Sequence, residues 1–98
     1  MDIEFQDSEF ERLAFDGTYI GSWSSTIIRQ YRRRLNVIMQ APSRQTLYAF
    51  RGLKLKKLGG KYKGYHSVRI NKQYRIRLKF VNANGYEKVR IIKIEDPH

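Results

Sequence analysis

The stretch Gln73-Tyr74-Arg75-Ile76-Arg77-Leu78-Lys79-Phe80 places an apolar residue at every second position from Tyr74 and a cation at each position between. A period of two sends successive side chains to opposite faces of a strand, so Tyr74, Ile76, Leu78 and Phe80 belong to a core. Arg75, Arg77 and Lys79 then share the other face, about 7 Å apart, with Arg75 free of any core role. Working backwards, His66, Val68 and Ile70 alternate with Tyr65, Ser67 and Arg69. Asn71-Lys72 between the two runs reads as a two-residue hairpin connection, since Asn tolerates the positive φ such turns require. Leu53 and Leu55 alternate with Lys54 and Lys56, which suggests another strand running into a Gly59-Gly60 turn. Working forwards, Asn82-Ala83-Asn84-Gly85 is a second hairpin loop, and a last strand covers about Tyr86–Glu95. Val89, Arg90, Ile91, Ile92 and Ile94 do not alternate cleanly, so its faces stay unassigned.

Before this β-rich half the period changes. Ser8-Glu9-Phe10-Glu11 reads as a capping box, with Ser8 as N-cap and Glu11 reaching back, opening a short helix. Its apolar face is Phe10, Leu13 and Ala14, and Gly17 is the expected stop. Ser24 or Ser25 caps a second, clearer helix in which Ile27, Ile28, Tyr31, Leu35, Ile38 and Met39 recur at the helical period and Pro42 ends the run. A helical turn around Leu47 and Phe50 follows. The order is α+β: one domain over residues 1–98, with two N-terminal helices packed on one face of an antiparallel β-meander.

The charges are sorted along the chain. Of 20 Lys+Arg, 16 lie between Gly17 and Tyr86, a window with no Asp or Glu, while all nine carboxylates lie outside it. The formal net charge is +11. Solvated surfaces ordinarily mix both signs, because a one-signed surface repels itself and attracts polyanions. A nucleic-acid partner is therefore expected. A hydrophobic fraction of 41% argues against disorder. No apolar run reaches the ~18 residues of a membrane span, and the acidic start Met1-Asp2-Ile3-Glu4 does not have the layout of a signal peptide, so the expected compartment is the cytoplasm. With no cysteine and only His66 and His98, a conventional zinc site is not expected, nor is any cofactor.

The Arg75, Arg77 and Lys79 stripe is the strongest binding signal. Like charges in a row disfavour a bare sheet, and phosphates lying across them reverse that cost. Lys54, Lys56, Lys57, Lys61 and Lys63 extend the surface as general electrostatic contacts. Tyr62, Tyr65 and His66 interleave with these cations and are placed either to stack on unpaired bases or to pack half-buried; both readings stay open. Arg32-Arg33-Arg34 reads most simply as a solvated helix face. At the end of the chain Glu95-Asp96-Pro97-His98 sets carboxylates beside an imidazole, the commonest proton-transfer group near neutrality.

Taken together, the run from Gly59 to Ile76, with Gly64, Ser67-Val68-Arg69-Ile70-Asn71 and Tyr74-Arg75-Ile76 as its landmarks, and the closing Ile94-Glu95-Asp96-Pro97-His98 resemble the HigB family of the RelE/ParE superfamily. The likeness is strong over the C-terminal half and restricted to length and type over the helices. The resemblance implies a type II toxin: an endoribonuclease that cuts mRNA in the ribosomal A site by metal-independent attack of a ribose 2′-OH on the adjacent phosphate. It implies a HigA-like helix-turn-helix antitoxin as partner, with operator DNA reached only through the antitoxin complex. By position it makes Arg75 a phosphate stabiliser and Asp96 and His98 the acidic and imidazole members of the terminal motif. Pro97 stands where some members carry a tyrosine, and Lys56 where some carry a histidine. A ParE-like toxin that inhibits DNA gyrase without cutting, or a non-catalytic RNA-binding protein, would suit the same charge.

Overall fold

The computed structural model describes all of residues 1–98, and its frame is a five-stranded sheet with helices on one face. In chain order the elements are β1 (Ile3–Phe5), α1 (Ser8–Phe15), α2 (Ser25–Gln40), α3 (Arg44–Ala49), β2 (Lys56–Lys57), β3 (His66–Arg69), β4 (Arg75–Ala83) and β5 (Tyr86–Glu95). The strand order is β1-β5-β4-β3-β2. The expected antiparallel meander is present as β2-β3-β4-β5. The sheet as a whole is mixed, because β1 adds to β5 in parallel, pairing Ile3 with Val89 and Phe5 with Ile91. A three-residue strand carries too little period to be read locally, and its partner lies at the other end of the chain.

The expected apolar faces form the core, except that Ile27 is only half-buried and lies outside it. Leu13 of α1 and Ile28, Tyr31, Leu35 and Ile38 of α2 are buried against Val68, Ile76, Leu78, Val89, Ile91 and Ile94 of the sheet. Ser24 caps α2 by accepting from the Ile27 amide at 3.2 Å, and the helix stops at Ala41, whose extended backbone is what a following proline requires. The arginine run on α2 is divided by function. Arg32 turns inward and donates to the carbonyls of Leu13, Asp16 and Tyr19, which clamps the end of α1 and the loop after it, whereas Arg33 is exposed. No helix is long and apolar enough to cross a membrane.

Five local expectations change. Asp7, not Ser8, caps α1, accepting from the Glu9 amide at 2.9 Å; aspartate is as good a cap as serine and stands one residue earlier. The same helix ends on an extended Asp16 rather than a left-handed Gly17. The strand expected at Leu53–Lys56 is instead a 3-10 turn over Arg51–Leu53 followed by a left-handed Lys54, leaving only Lys56–Lys57 paired. Leu53 is fully buried there, and drawing it inward breaks the alternation. Asn71 does not adopt positive φ; its Oδ1 accepts from the Gln73 and Tyr74 amides, closing a three-residue loop between Ile70 and Tyr74. The second hairpin is tighter than expected: Asn84 and Gly85, both left-handed, form a two-residue turn.

The irregular β5 has a plain cause. Arg77 pairs with Lys93 while its neighbour Leu78 pairs with Ile91, so Ile92 is an extra residue, a β-bulge. Two consecutive isoleucines can thus both be buried, with Ile92 outside the main cluster.

His66 does not face the cationic side of the sheet. It is 6% exposed, its ring meets Phe80 edge-on at 4.9 Å, and its Nδ1 has no hydrogen-bond partner. Burial pushes its pKa below the ordinary 6.5, with the charges of Arg44 and Lys57 acting in the same direction and Glu87 opposing them. As pH falls below 6.5 the unfolded chain takes up this proton before the folded one does, so stability is full above that pH and declines below it. Urea midpoints measured from pH 7.5 down to about 5 should fall for the natural chain and stay level for His66→Phe. A level profile for the natural chain would show that the ring titrates as if in water.

Candidate active site and nucleic-acid interface

The face of the sheet away from the helices is built by the alternation of β3 and β4. Register sets Arg69 opposite Arg75, Ser67 opposite Arg77, and Arg75 and Arg77 opposite Glu95 and Lys93. Its most structured cation is Arg75. Nε donates to Ser67 Oγ at 2.8 Å, and Nη2 donates to the Ser67 carbonyl at 3.2 Å and to the Lys54 carbonyl at 2.5 Å. The expectation that Arg75 lies free on the open face is therefore corrected. Its guanidinium ties the left-handed turn at Lys54 to the sheet, which brings Lys54 and Lys56 alongside it. Burial pushes the Arg75 pKa down from the usual arginine value, with the charge of Arg69 adding to the effect; an arginine still keeps its proton.

Beside Arg75 is an open cavity of about 220 Å³. Lys54, Lys56, Arg69, Lys72 and Arg75 line it with His98, and no Asp or Glu side chain does. None of these five cations has a carboxylate oxygen within 4.0 Å. The acids pair elsewhere: Glu4 with Lys88 and Arg90, Asp16 with Arg12, Glu87 with Arg44, and Glu95 with Arg77. The sorting visible along the chain is thus completed in space, and one cavity keeps its positive charge uncompensated.

His98 enters this cavity with its ring 68% exposed. Asp96 Oδ1 accepts from the His98 amide at 3.0 Å and lies 2.9 Å from His98 Nδ1, while Gln73 Nε2 donates to Asp96 Oδ2 at 3.1 Å. The Gln73 hydrogen bond, followed by those from the His98 backbone and ring, holds the Asp96 carboxyl below the usual carboxylate range. An ionised carboxylate only accepts, so Nδ1 carries the hydrogen, and Nε2 is left as the nitrogen that can exchange a proton with a ligand.

The residues expected from sequence divide into two groups. Arg75, Asp96, His98, Lys54 and Lys56 are brought together. Lys57, Lys61, Lys63, Tyr65, Arg77 and Lys79 are not among the cavity's walls. Lys79 lies 5.4 Å over the Tyr65 ring, and Lys61 lies 5.2 Å over Tyr62. Arg77, expected as a free member of the stripe, is bound bidentately by Glu95 and stacked 3.9 Å over Tyr62. Arg69, Lys72 and Gln73 were missed. Arg69 carried a signal, since it shares the parity of Ser67 in β3; the other two sit in a turn, where no period points to a face.

The family model for the RelE-like toxin of type II toxin-antitoxin system HigB matches residues 3–91. Toxin HigB-1 of Vibrio cholerae serotype O1 is 30% identical over 98 residues, which is all of this chain and 98% of that one. Among solved structures, the YoeB/ParE toxin from Agrobacterium tumefaciens superposes with a TM-score of 0.63 at 18% identity, covering 100% of both chains. The YoeB–YefM complex from Staphylococcus aureus gives 0.61 at 19% identity, covering 100% of this chain and 98% of that one. YafQ from E. coli strain BL21(DE3) gives 0.59 at 14%, covering 98% and 92%. At these identities the structural likenesses establish the α+β fold, and the sequence matches establish the lineage. The chain belongs to the HigB family of RelE-like toxins of type II toxin–antitoxin systems.

Proposed function

We propose that this toxin is an endoribonuclease that cuts mRNA on the ribosome and is neutralised by a HigA-type helix-turn-helix antitoxin. The observation that carries the reading is the meeting of His98, backed by Asp96, with Arg75 in one cavity whose walls are cationic. Cleavage by an internal nucleophile needs three things there. A base removes the 2′-OH proton, cations take up charge developing on the phosphoryl oxygens, and an acid supplies a proton to the departing 5′ oxygen. His98 Nε2 is the base, held in the right tautomer by Asp96. Arg75 and Arg69 face the phosphoryl oxygens, and the ammonium groups of Lys54 and Lys56 are the donors available to the leaving oxygen. The products are a 2′,3′-cyclic phosphate and a 5′-OH end. A toxin of this family works opposite an antitoxin, and the S. aureus YoeB structure is of a complex with YefM.

Two measurements test the reading. Transcript ends mapped after induction should show new cuts within translated regions; unchanged transcripts together with gyrase-dependent DNA breaks would replace it with the ParE-like alternative. Affinity for programmed ribosomes should also fall steeply with salt. Each phosphate neutralised on a single strand contributes about −0.7 to the log–log slope, so five cavity cations that each neutralise one phosphate predict about −3.5. A nearly flat slope would remove phosphate contacts as the source of binding.

A further inference from the structure

The segment that carries Asp96 and His98 is weakly held by the backbone ladder. Beyond the bulge at Ile92 only Lys93, Ile94 and Glu95 pair with β4, opposite Arg77, Ile76 and Arg75. A strand end secured by three residue pairs opens and closes easily. Arg77 and Glu95 lie diagonally across this short ladder. Arg77 Nε donates to Glu95 Oε1 at 3.0 Å and Nη2 to Oε2 at 2.5 Å, and the two side chains are only 12% and 18% exposed. The guanidinium lies 3.9 Å over the ring of Tyr62, which comes from a separate 3-10 turn over Gly60–Tyr62. Three segments thus meet at one planar pair, immediately before Asp96. The geometry also argues against Arg77 as a phosphate ligand. Two of its donors are taken by a carboxylate that cancels its charge, and a ring covers one face.

We propose that Arg77 and Glu95, stacked under Tyr62, form a strut that positions Asp96 and His98 at the Arg75 cavity, so that Arg77 is a positioning residue rather than a nucleic-acid contact. The proposal rests on the ribonuclease reading above for its kinetic consequence. The strut fixes the last residue of β5, the Gln73–Asp96 hydrogen bond fixes the next, and the Asp96–His98 hydrogen bonds carry that order to the ring. Freeing Glu95 lets the ring drift, and a displacement of about 1 Å costs up to about 10²-fold in rate.

Glu95→Gln is the informative variant, because the two roles move different observables. If the face acted only through its charge, removing a carboxylate would tighten RNA binding and leave the rate unchanged. A strut predicts a fall of about tenfold or more in single-turnover cleavage at saturating programmed ribosomes, with the affinity and its salt slope retained. Arg77→Gln should behave in the same way, and the reversed pair R77E/E95R should recover most of the loss. Amide hydrogen exchange of the free toxin adds a readout independent of cleavage. In both single variants the His98 amide should exchange faster, while α2 and the centre of β4 keep their protection. Full-rate cleavage by Glu95→Gln would overturn the strut, as would a flatter salt slope for Arg77→Gln. If the natural chain did not cut RNA at all, the ribonuclease reading would fail instead. Exchange at His98 would then decide the strut, and an unchanged rate there would overturn it.

Discussion

Removing the His98 ring, by deletion or by His98→Ala, should lower single-turnover cleavage of mRNA on programmed ribosomes by about 10²–10⁴-fold, the usual contribution of a positioned proton-transfer group. Toxicity in cells should disappear with it. Thermal stability and ribosome affinity should barely move, because the ring is 68% exposed and its polar partner is Asp96 alone. Asp96→Asn should act in the same direction but less strongly. An amide keeps a carbonyl oxygen near Nδ1, yet it lacks the charge that fixes the tautomer and steadies the imidazolium formed during reaction. The Asp96 carboxyl is held below the usual carboxylate range by Gln73 and His98, so it stays ionised throughout the neutral range. The acid limb of a pH–rate profile should consequently not follow this carboxylate. Full-rate cleavage by the His98 deletion would leave the pair without a catalytic role.

Arg75→Ala should produce the second large loss, about 10²–10³-fold in cleavage, as expected when a preorganised donor is removed from developing oxyanion charge. Unlike His98, Arg75 also holds the fold together locally. Its guanidinium donates to Ser67 Oγ and to the carbonyls of Ser67 and Lys54. Hydrogen bonds from a charged donor contribute about 1.5–3 kcal/mol, so the urea midpoint should drop by a corresponding amount while the far-ultraviolet spectrum remains that of a folded α+β chain. Arg75→Lys separates the two roles. A lysine returns the charge but not the planar fork that reaches Ser67 and Lys54 together, so binding and its salt slope should recover more fully than the rate. If Arg75→Ala loses stability yet cuts at full rate, Arg75 is structural and the cavity's phosphate ligands are Lys54, Lys56 and Arg69.

Much of the architecture was legible without coordinates, and for one reason: it is written at short range. The helical period of α2 from Ile28 to Ile38 and the strict alternation of β4 from Tyr74 to Phe80 depend on residues within a few positions of one another. Together with the carboxylate-free window, they determined an α+β domain with a cationic sheet face. Tertiary structure alone decided what depends on distant partners. The parallel addition of β1 to β5, with Glu4 bonded to Arg90 across 86 positions, has no local signal. Nor does the bulge at Ile92, which shows in the sequence only as a failure of alternation. The same holds for the charges. Arg75 and Arg77 are indistinguishable in a list of alternating cations. In space Arg77 is neutralised by Glu95, 18 residues away, while Arg75 folds the Lys54 turn against the sheet and leaves its cavity open to His98. Alternation settles which face a side chain takes; what it meets on that face is settled by chain segments that the alternation cannot see.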